Sequence, residues 1–149
     1  MTQIPLFQPP SEWTPPEDIP NLSDAKEIAV DLETYDPNLK TNGPGWAIDN
    51  GYVAGVSIAV EGWKGYFPIR HEGGGNFDEA IFKRQLQKIM NLPCDKIFHN
   101  ASYDVGWLRW WGLEVKGRII DTLIAAHLVN ENSYRYDLTS VGTEYLKEK

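Results

Sequence analysis

Three carboxylates and one amide stand out by type and spacing. In IAVDLETYD, residues 28–36, Asp31 and Glu33 flank a single leucine at the end of an apolar run. In HNASYD, residues 99–104, Asn100 precedes Asp104 by four positions. Acids at i and i+2 of a strand point to one face. Two like charges there repel, and neither is stable on a core face unless something positive lies between them. The structural alternative is a strand end that has reached water, and an isolated Asp-x-Glu triplet would be read that way. Here the run before the acids is fully apolar, which marks a central strand. Central strands of α/β sheets present ligands at their C-terminal ends.

Asn100 and Asp104 also have an ordinary reading. Asn is a favoured helix N-cap, and the helix dipole stabilises an acid in the first turns. However, Asp104, Leu108 and Trp111 fall at i, i+4 and i+7 of one helical stripe, which should face the sheet. A carboxylate on that inward stripe can meet Asp31 and Glu33.

The elements that must position these groups can be read along the chain. Six of the ten prolines lie in the first 20 residues, so residues 1–22 are expected to form an extended arm. Residues 23–149 are expected to form one domain. KEIAVDLE reads as a strand, and TYDPNLKTNGPGWAIDNG as a loop, given its density of turn residues. YVAGVSIAVEG and WKGYFPIR read as two strands joined as a hairpin near Gly62 to Gly65. FDEAIFKRQLQKIM has helical apolar spacing, with Asn76 and Glu79 as its capping pair. CDKIFHN is a short buried strand, ASYDVGWLRWWG a helix stopped by Gly112, and KGRIID a last strand. TLIAAHLVN and LTSVGTEYLKEK are helices with Asp121 and Asp137 as N-caps. Three consecutive strands followed by alternating helix and strand predict an α/β domain with a mixed sheet, an antiparallel meander leading into parallel strands.

Composition narrows the classes of function. A chain of 149 residues with 42% hydrophobic and 23% charged content fits one globular domain with a real core. No stretch is long and apolar enough for a membrane span, and MTQIPLFQPP lacks signal-peptide character. Cys94 is the single cysteine, which excludes an internal disulfide and a cysteine-built zinc site. A cytoplasmic location in a bacterium or phage-infected host is the simplest expectation. The net charge of −7 argues against a protein that coats nucleic acid through many phosphate contacts. It leaves room for an enzyme that meets nucleic acid at one site through cations. Trp110 is a candidate stacking residue, whereas Trp111 fits core packing. Lys83, Arg84 and Lys88 read as a solvated helix face, Gly73 to Gly75 as a flexible loop, and Cys94 as a small buried residue. His71, His99 and His127 are scattered, without metal-ligand spacing.

Taken together, Asp31-x-Glu33 on a first strand and Asn100-x-x-x-Asp104 entering a helix resemble motifs I and II of the DEDD 3′–5′ exonucleases, which have a ribonuclease-H-like fold. GYFPIRHEGG resembles the third-strand region of the proofreading domain of family A DNA polymerases. IIDTLIAAHLVNEN with YDLTSVGTEYL resembles the segment after motif II there and in ribonuclease D. The resemblance covers residues 26–146. It implies two-metal hydrolysis of the 3′-terminal phosphodiester of single-stranded or frayed DNA, with Mg²⁺ or Mn²⁺ taken by hard carboxylate oxygens. It implies that Asp31 bridges the two ions, with Glu33 serving the water-activating one and Asp104 the other. Asn100, Tyr103 and Thr34 are then implied on the substrate side, near the terminal nucleotide. A ribonuclease-D-like RNA exonuclease and an inactive nucleic-acid-binding or scaffold domain are the alternatives.

The family's fourth acid is missing. Motif III is written Tyr-x-x-x-Asp or His-x-x-x-x-Asp. No tyrosine here has an aspartate four positions on; Tyr134 comes nearest, with Asp137 three on. His127 meets Asn132 at the fifth position, and His99 reaches only Asp104, which already belongs to motif II. The chain is therefore expected to stop before the helix that carries motif III and to be weak or inactive by itself. The missing carboxylate would come from the rest of a polymerase chain or from a partner. Exposed apolar surface would favour self-association.

Overall fold

A computed structural model describes Thr14 and residues 16–147. Five strands form one sheet in the order β3-β2-β1-β4-β5. They are β1 (Glu27–Tyr35), β2 (Tyr52–Val60), β3 (Trp63–Pro68), β4 (Asp95–Phe98) and β5 (Ile119–Asp121). The β1–β2 and β2–β3 pairs are antiparallel, and the β1–β4 and β4–β5 pairs are parallel. The expected mixed sheet is therefore present, with the acid-bearing strand at its centre. Its helices are α1 (Leu39–Asn42), α2 (Gly45–Ile48), α3 (Glu79–Met90), α4 (Ala101–Trp110), α5 (Thr122–Val129) and α6 (Leu138–Leu146).

Alternation along β1 decides which way the acids point. Ile28, Val30 and Leu32 are buried in the main core with Val56, Ile58 and Phe67 of the meander. Phe82, Leu86, Ile89 and Met90 of α3 and Val105, Trp107 and Leu108 of α4 complete that core. The intervening residues Ala29, Asp31 and Glu33 take the opposite face, because strand side chains alternate. There Ala29, Ser57, Ala59 and Ile97 help to line a hollow of about 500 Å³, with Asp31, His99 and Leu138 in its wall. Small residues on three neighbouring strands, Ala29 of β1, Ser57 and Ala59 of β2 and Gly65 of β3, leave that face hollow.

Several local expectations need correction. The segment expected to be a loop over residues 34–51 begins with the last two residues of β1 and contains α1 and α2. Both helices are single turns, too short to show periodicity in sequence. The α3 cap is Asp78, whose side chain accepts from the Ile81 amide at 2.9 Å, and not Asn76. Asn76 instead exchanges two hydrogen bonds with the His71 backbone. The strand expected over KGRIID is confined to its last three residues. Cys94 is half-buried rather than buried. The hairpin turn falls at Glu61 and Gly62, where Gly62 has φ +80. Residues 1–13 and 15 of the expected arm lie outside the described residues, whereas Leu22 at its end is buried in the core.

The start of α4 holds the most informative correction. Asn100 occupies the N-cap position but makes no side-chain cap bond there, and its backbone is left-handed, with φ 67. Asp121, at the end of β5, does the capping from 20 residues away. Its carboxylate accepts from Asn100 N at 3.0 Å and Ala101 N at 2.8 Å, and also from Leu123 N at 2.9 Å at the start of α5. One side chain thus closes the N-termini of two helices, satisfying donors that neither helix can satisfy itself. Asp121→Ala is expected to cost about 2–3 kcal/mol of stability. Asn100→Gly, which relieves a left-handed φ, should be neutral or stabilising by up to about 1 kcal/mol. Urea unfolding of both variants checks the pair; equal losses would refute the division of roles.

Candidate active site

Asp104 lies in the first turn of α4 and is only 3% exposed. Its position follows from the sheet. The β1–β4 ladder ends at Ala29 paired with Ile97, so the β1 backbone beyond that point is free of β4. The Leu32 amide donates there to Asp104 Oδ2 at 3.3 Å. This bond anchors the helix carboxylate to the backbone between Asp31 and Glu33. Asp104, Leu108 and Trp111 are all buried, as their shared stripe requires.

The electrostatics show how close the acids are. Burial pushes the Asp104 pKa from the ordinary 3.8 up to about 7, and the Asp31 charge adds to it. The Leu32 hydrogen bond pulls the other way, while Glu33 and Asp121 push it further up. Asp31 is raised too, first by burial and then by Glu33, while His99 opposes the shift. The ion pairs among the described residues are Arg70–Glu79, Arg118–Asp95 and Arg135–Asp137, so none neutralises this cluster. The three carboxylates repel one another with no Lys or Arg ion pair to them among the described residues, and His99 is the one side chain whose charge opposes the shift at Asp31.

Glu33 is exposed and faces the meander. It pairs across the strands with Gly55, where a Cβ would sit 2.0 Å from the Tyr66 hydroxyl. Only glycine lets Tyr66 lie across β2 beside Glu33, which contributes to raising the Tyr66 pKa after burial. A bulge between Glu33 and Thr34 then shifts the register, so that Thr34 pairs with Val53. Thr34 Oγ1 lies 2.9 Å from the Tyr103 hydroxyl, which joins β1 to α4 a second time. The sequence-predicted residues Asp31, Glu33, Asp104, Thr34 and Tyr103 are thus brought to one end of β1 and the facing turn of α4. Asn100 stands at the start of that helix, tied to Asp121 through its amide.

Three contributors were not singled out from sequence. Asp121 had been given only the cap of α5. His99, set aside as scattered, bonds Thr122 Oγ1 through Nδ1 at 2.9 Å and the Tyr136 carbonyl through Nε2 at 2.6 Å, which places it near Asp31. Its signal was its adjacency to Asn100. Asp36 accepts from Tyr103 and from Gly45, and its signal was its place one residue beyond the strand. Trp110, the exposed aromatic, is partly committed, because its Nε1 donates to Asp49 Oδ1 at 2.8 Å.

All the donors are oxygens on acids, and an uncompensated negative cluster suits a hard divalent cation. Among the described residues, no three His, Cys, Asp or Glu side chains are grouped so as to hold an ion by themselves. The chemistry of the donor set fits the metal, and the side chains do not close a cage around it.

No family model matches the chain. A DNA-directed DNA polymerase of Pseudomonas phage M6 is 34% identical over 151 residues, covering 96% of this chain and 23% of the polymerase. The chain therefore spans about a quarter of that relative's length. Among solved structures, Brucella melitensis NrnC with bound Mg²⁺ superposes with a TM-score of 0.61 at 21% identity, over 88% of this chain and 59% of that one. Escherichia coli RNase D, described as an exoribonuclease involved in structured RNA processing, gives 0.58 at 19% identity, over 85% and 29%. The chain shares the fold of these nucleases, and its sequence is similar to part of a phage DNA polymerase.

Burial of Asp104 makes the stability of the metal-free domain depend on pH. Between about pH 4 and 7 the folded state holds a proton that the unfolded chain has released, so this contribution to stability falls as pH rises through that window. About three pKa units bound the loss at about 4 kcal/mol. Asp104→Asn, which imitates the protonated acid, should be more stable than wild type at pH 8 and equal to it at pH 4. Urea unfolding in a chelator at both values tests this, and an unchanged difference between the two would contradict it.

Proposed function

We propose that this domain is a DEDD-type 3′–5′ exonuclease acting on single-stranded or frayed DNA 3′ ends in a proofreading manner. The observation that carries the reading is the buried Asp104 carboxylate, fastened to the Leu32 amide between Asp31 and Glu33 with no ion pair to it among the described residues. The 34% identity to a phage DNA polymerase favours DNA as the substrate.

Asp31, Glu33 and Asp104 would hold two divalent ions, Mg²⁺ or Mn²⁺. When bound, these supply activation of water and neutralisation of charge on the leaving 3′ oxygen. The chain's own residues prepare the site. Asp31 sits in the wall of the hollow, where burial and Glu33 make its ionised form costly without a cation. Thr34, Asn100 and Tyr103 border the same end of β1 and receive the terminal nucleotide.

The fourth carboxylate is not supplied by an acid nearby. Asp121 also acts on Asp104, but its oxygens already serve three backbone amides. We assign the fourth ligand to polypeptide outside these 149 residues, either further polymerase chain or a partner. Its docking place is the hollow sheet face beside α5 and α6. Thr122 of α5 and Leu138 of α6 line that hollow, and on the same two helices Ile124, Leu128, Val129 and Leu146 are more than half exposed. Self-association through the same apolar surface is the competing use of it. The likeness of fold to RNase D makes RNA trimming the second reading.

A 5′-labelled single-stranded DNA with Mg²⁺ or Mn²⁺ should be shortened slowly from its 3′ end, releasing nucleoside monophosphates, and Asp31→Ala should abolish this. Equal trimming by both proteins would refute the site. Faster trimming of an RNA of the same sequence would select the second reading. A readout independent of activity is thermal unfolding at pH 8. Mg²⁺ at a hundredfold excess over its Kd should stabilise wild type by about 2.7 kcal/mol, and should do little for Asp31→Ala.

A further inference from the structure

A chain of polar contacts runs beside the carboxylates without including any of them. Tyr103 donates its hydroxyl proton to Asp36 Oδ2 at 2.8 Å. The Gly45 amide donates to the same oxygen at 2.9 Å. The Tyr103 oxygen also lies 2.9 Å from Thr34 Oγ1. A phenol has one proton, and here it is given to Asp36, so Thr34 must be the donor in the second bond. The hydroxyl protons of Thr34 and Tyr103 therefore both run inward, toward Asp36.

Asp36 is an expensive choice for this place. Its Oδ1 is buried and has no hydrogen-bond partner among the described residues. An unmatched buried acceptor is costly, so Asp36 is held in this place against a penalty. The surroundings are built closely around it. A Cβ on Gly45 would lie 1.9 Å from the Asn50 carbonyl and 2.9 Å from Asp36 Oδ1, so a residue with a side chain could not bring this amide so near. On the other side, the Tyr103 ring meets Trp107 edge-on, with centroids 6.5 Å apart and planes at 75°. The hydroxyl and the ring of Tyr103 are each held by a separate partner.

We propose that Asp36 is a positioning residue for the nucleic-acid 3′ end: it holds Tyr103 by its hydroxyl, so that the tyrosine offers substrate its ring and not its proton. It also ties the segment carrying α1 and α2 to α4, making that segment one wall of the 3′-end cleft. This role rests on the exonuclease reading above and extends it to a residue outside both motifs. A ring fixed in place can stack against a base or sugar with little loss of freedom on binding.

The test is a double-mutant cycle on binding. The probe is a 5′-fluorescein single-stranded DNA with a phosphorothioate at its last linkage, titrated in Mg²⁺ and read by anisotropy. Circular dichroism establishes that each variant is folded at the assay temperature. Asp36→Ala and Tyr103→Phe should each weaken binding about three- to tenfold, and the double variant no more than the worse single one. Asp36→Asn, which keeps an acceptor at the Oδ2 position, should bind within about twofold of wild type. Additive losses would overturn the proposal, as would affinity unchanged in Asp36→Ala, which a purely structural role predicts. No binding by wild type would instead remove the exonuclease reading, and this role with it. That result is distinct from wild-type binding that ignores Asp36.

Discussion

The Leu32 amide can reach Asp104 because β4 stops pairing with β1 after Ala29. This one released stretch of ladder brings a helix carboxylate into line with two strand carboxylates. A buried acid in that position repels its neighbours and gains from the backbone amide only part of what water would have given. The remaining cost is borne by the packing of α4, whose Val105, Trp107 and Leu108 are seated in the core. Stability and chemistry are therefore in tension at this point, as is usual where a fold keeps a costly charge arrangement ready for a ligand.

The rest of the site exists to hold α4 against β1. Asp121 closes the start of the helix from β5, and through Leu123 it closes the start of α5 as well. Thr34 and Asp36 reach Tyr103 from the end of β1. Gly106 lets the indole of Trp46 lie on the helix, where a Cβ would come within 2.4 Å of it. Farther off, Lys96 is fully buried and donates to the carbonyls of Leu92, Cys94 and Lys116, which pins the approach to β4. Apart from the packing of Trp46 on Gly106, these contacts are polar and directional, so the mutual orientation of strand and helix is specified more tightly than hydrophobic packing alone would require.

The two faces of the sheet have different fates. One is filled by Phe67, Phe82, Trp107 and their neighbours, while the other carries Ala29, Ser57 and Ala59 around a hollow. Asp31 belongs to the hollow side, whereas Asp104 reaches β1 from α4, which packs in the main core; α5 and α6 border the hollow with few buried residues of their own. Such a face buries little apolar area, so a covering element would gain by docking there. The net charge of −7 suits this arrangement, since cations must reach the acids before a polyanionic substrate can.

The sequence by itself determined the central strand, the face its acids share, the inward stripe of α4 and the mixed order of the sheet. Those features are encoded in local periodicity, which the backbone geometry of strands and helices converts directly into direction. The family resemblance drew its strength from the same short patterns. Only the tertiary structure decided how the acids meet their supports. The bonds Leu32–Asp104, Thr34–Tyr103 and Tyr103–Asp36 join residues 72, 69 and 67 positions apart. No local pattern marks such pairs, because they depend on where β4 ends and how α4 is tilted. For the same reason Asn100 read as a cap when the capping group is Asp121. Asp78 in place of Asn76, and the single turns α1 and α2, were missed for a shorter-range reason: two residues of offset, or four residues of helix, leave no periodic trace.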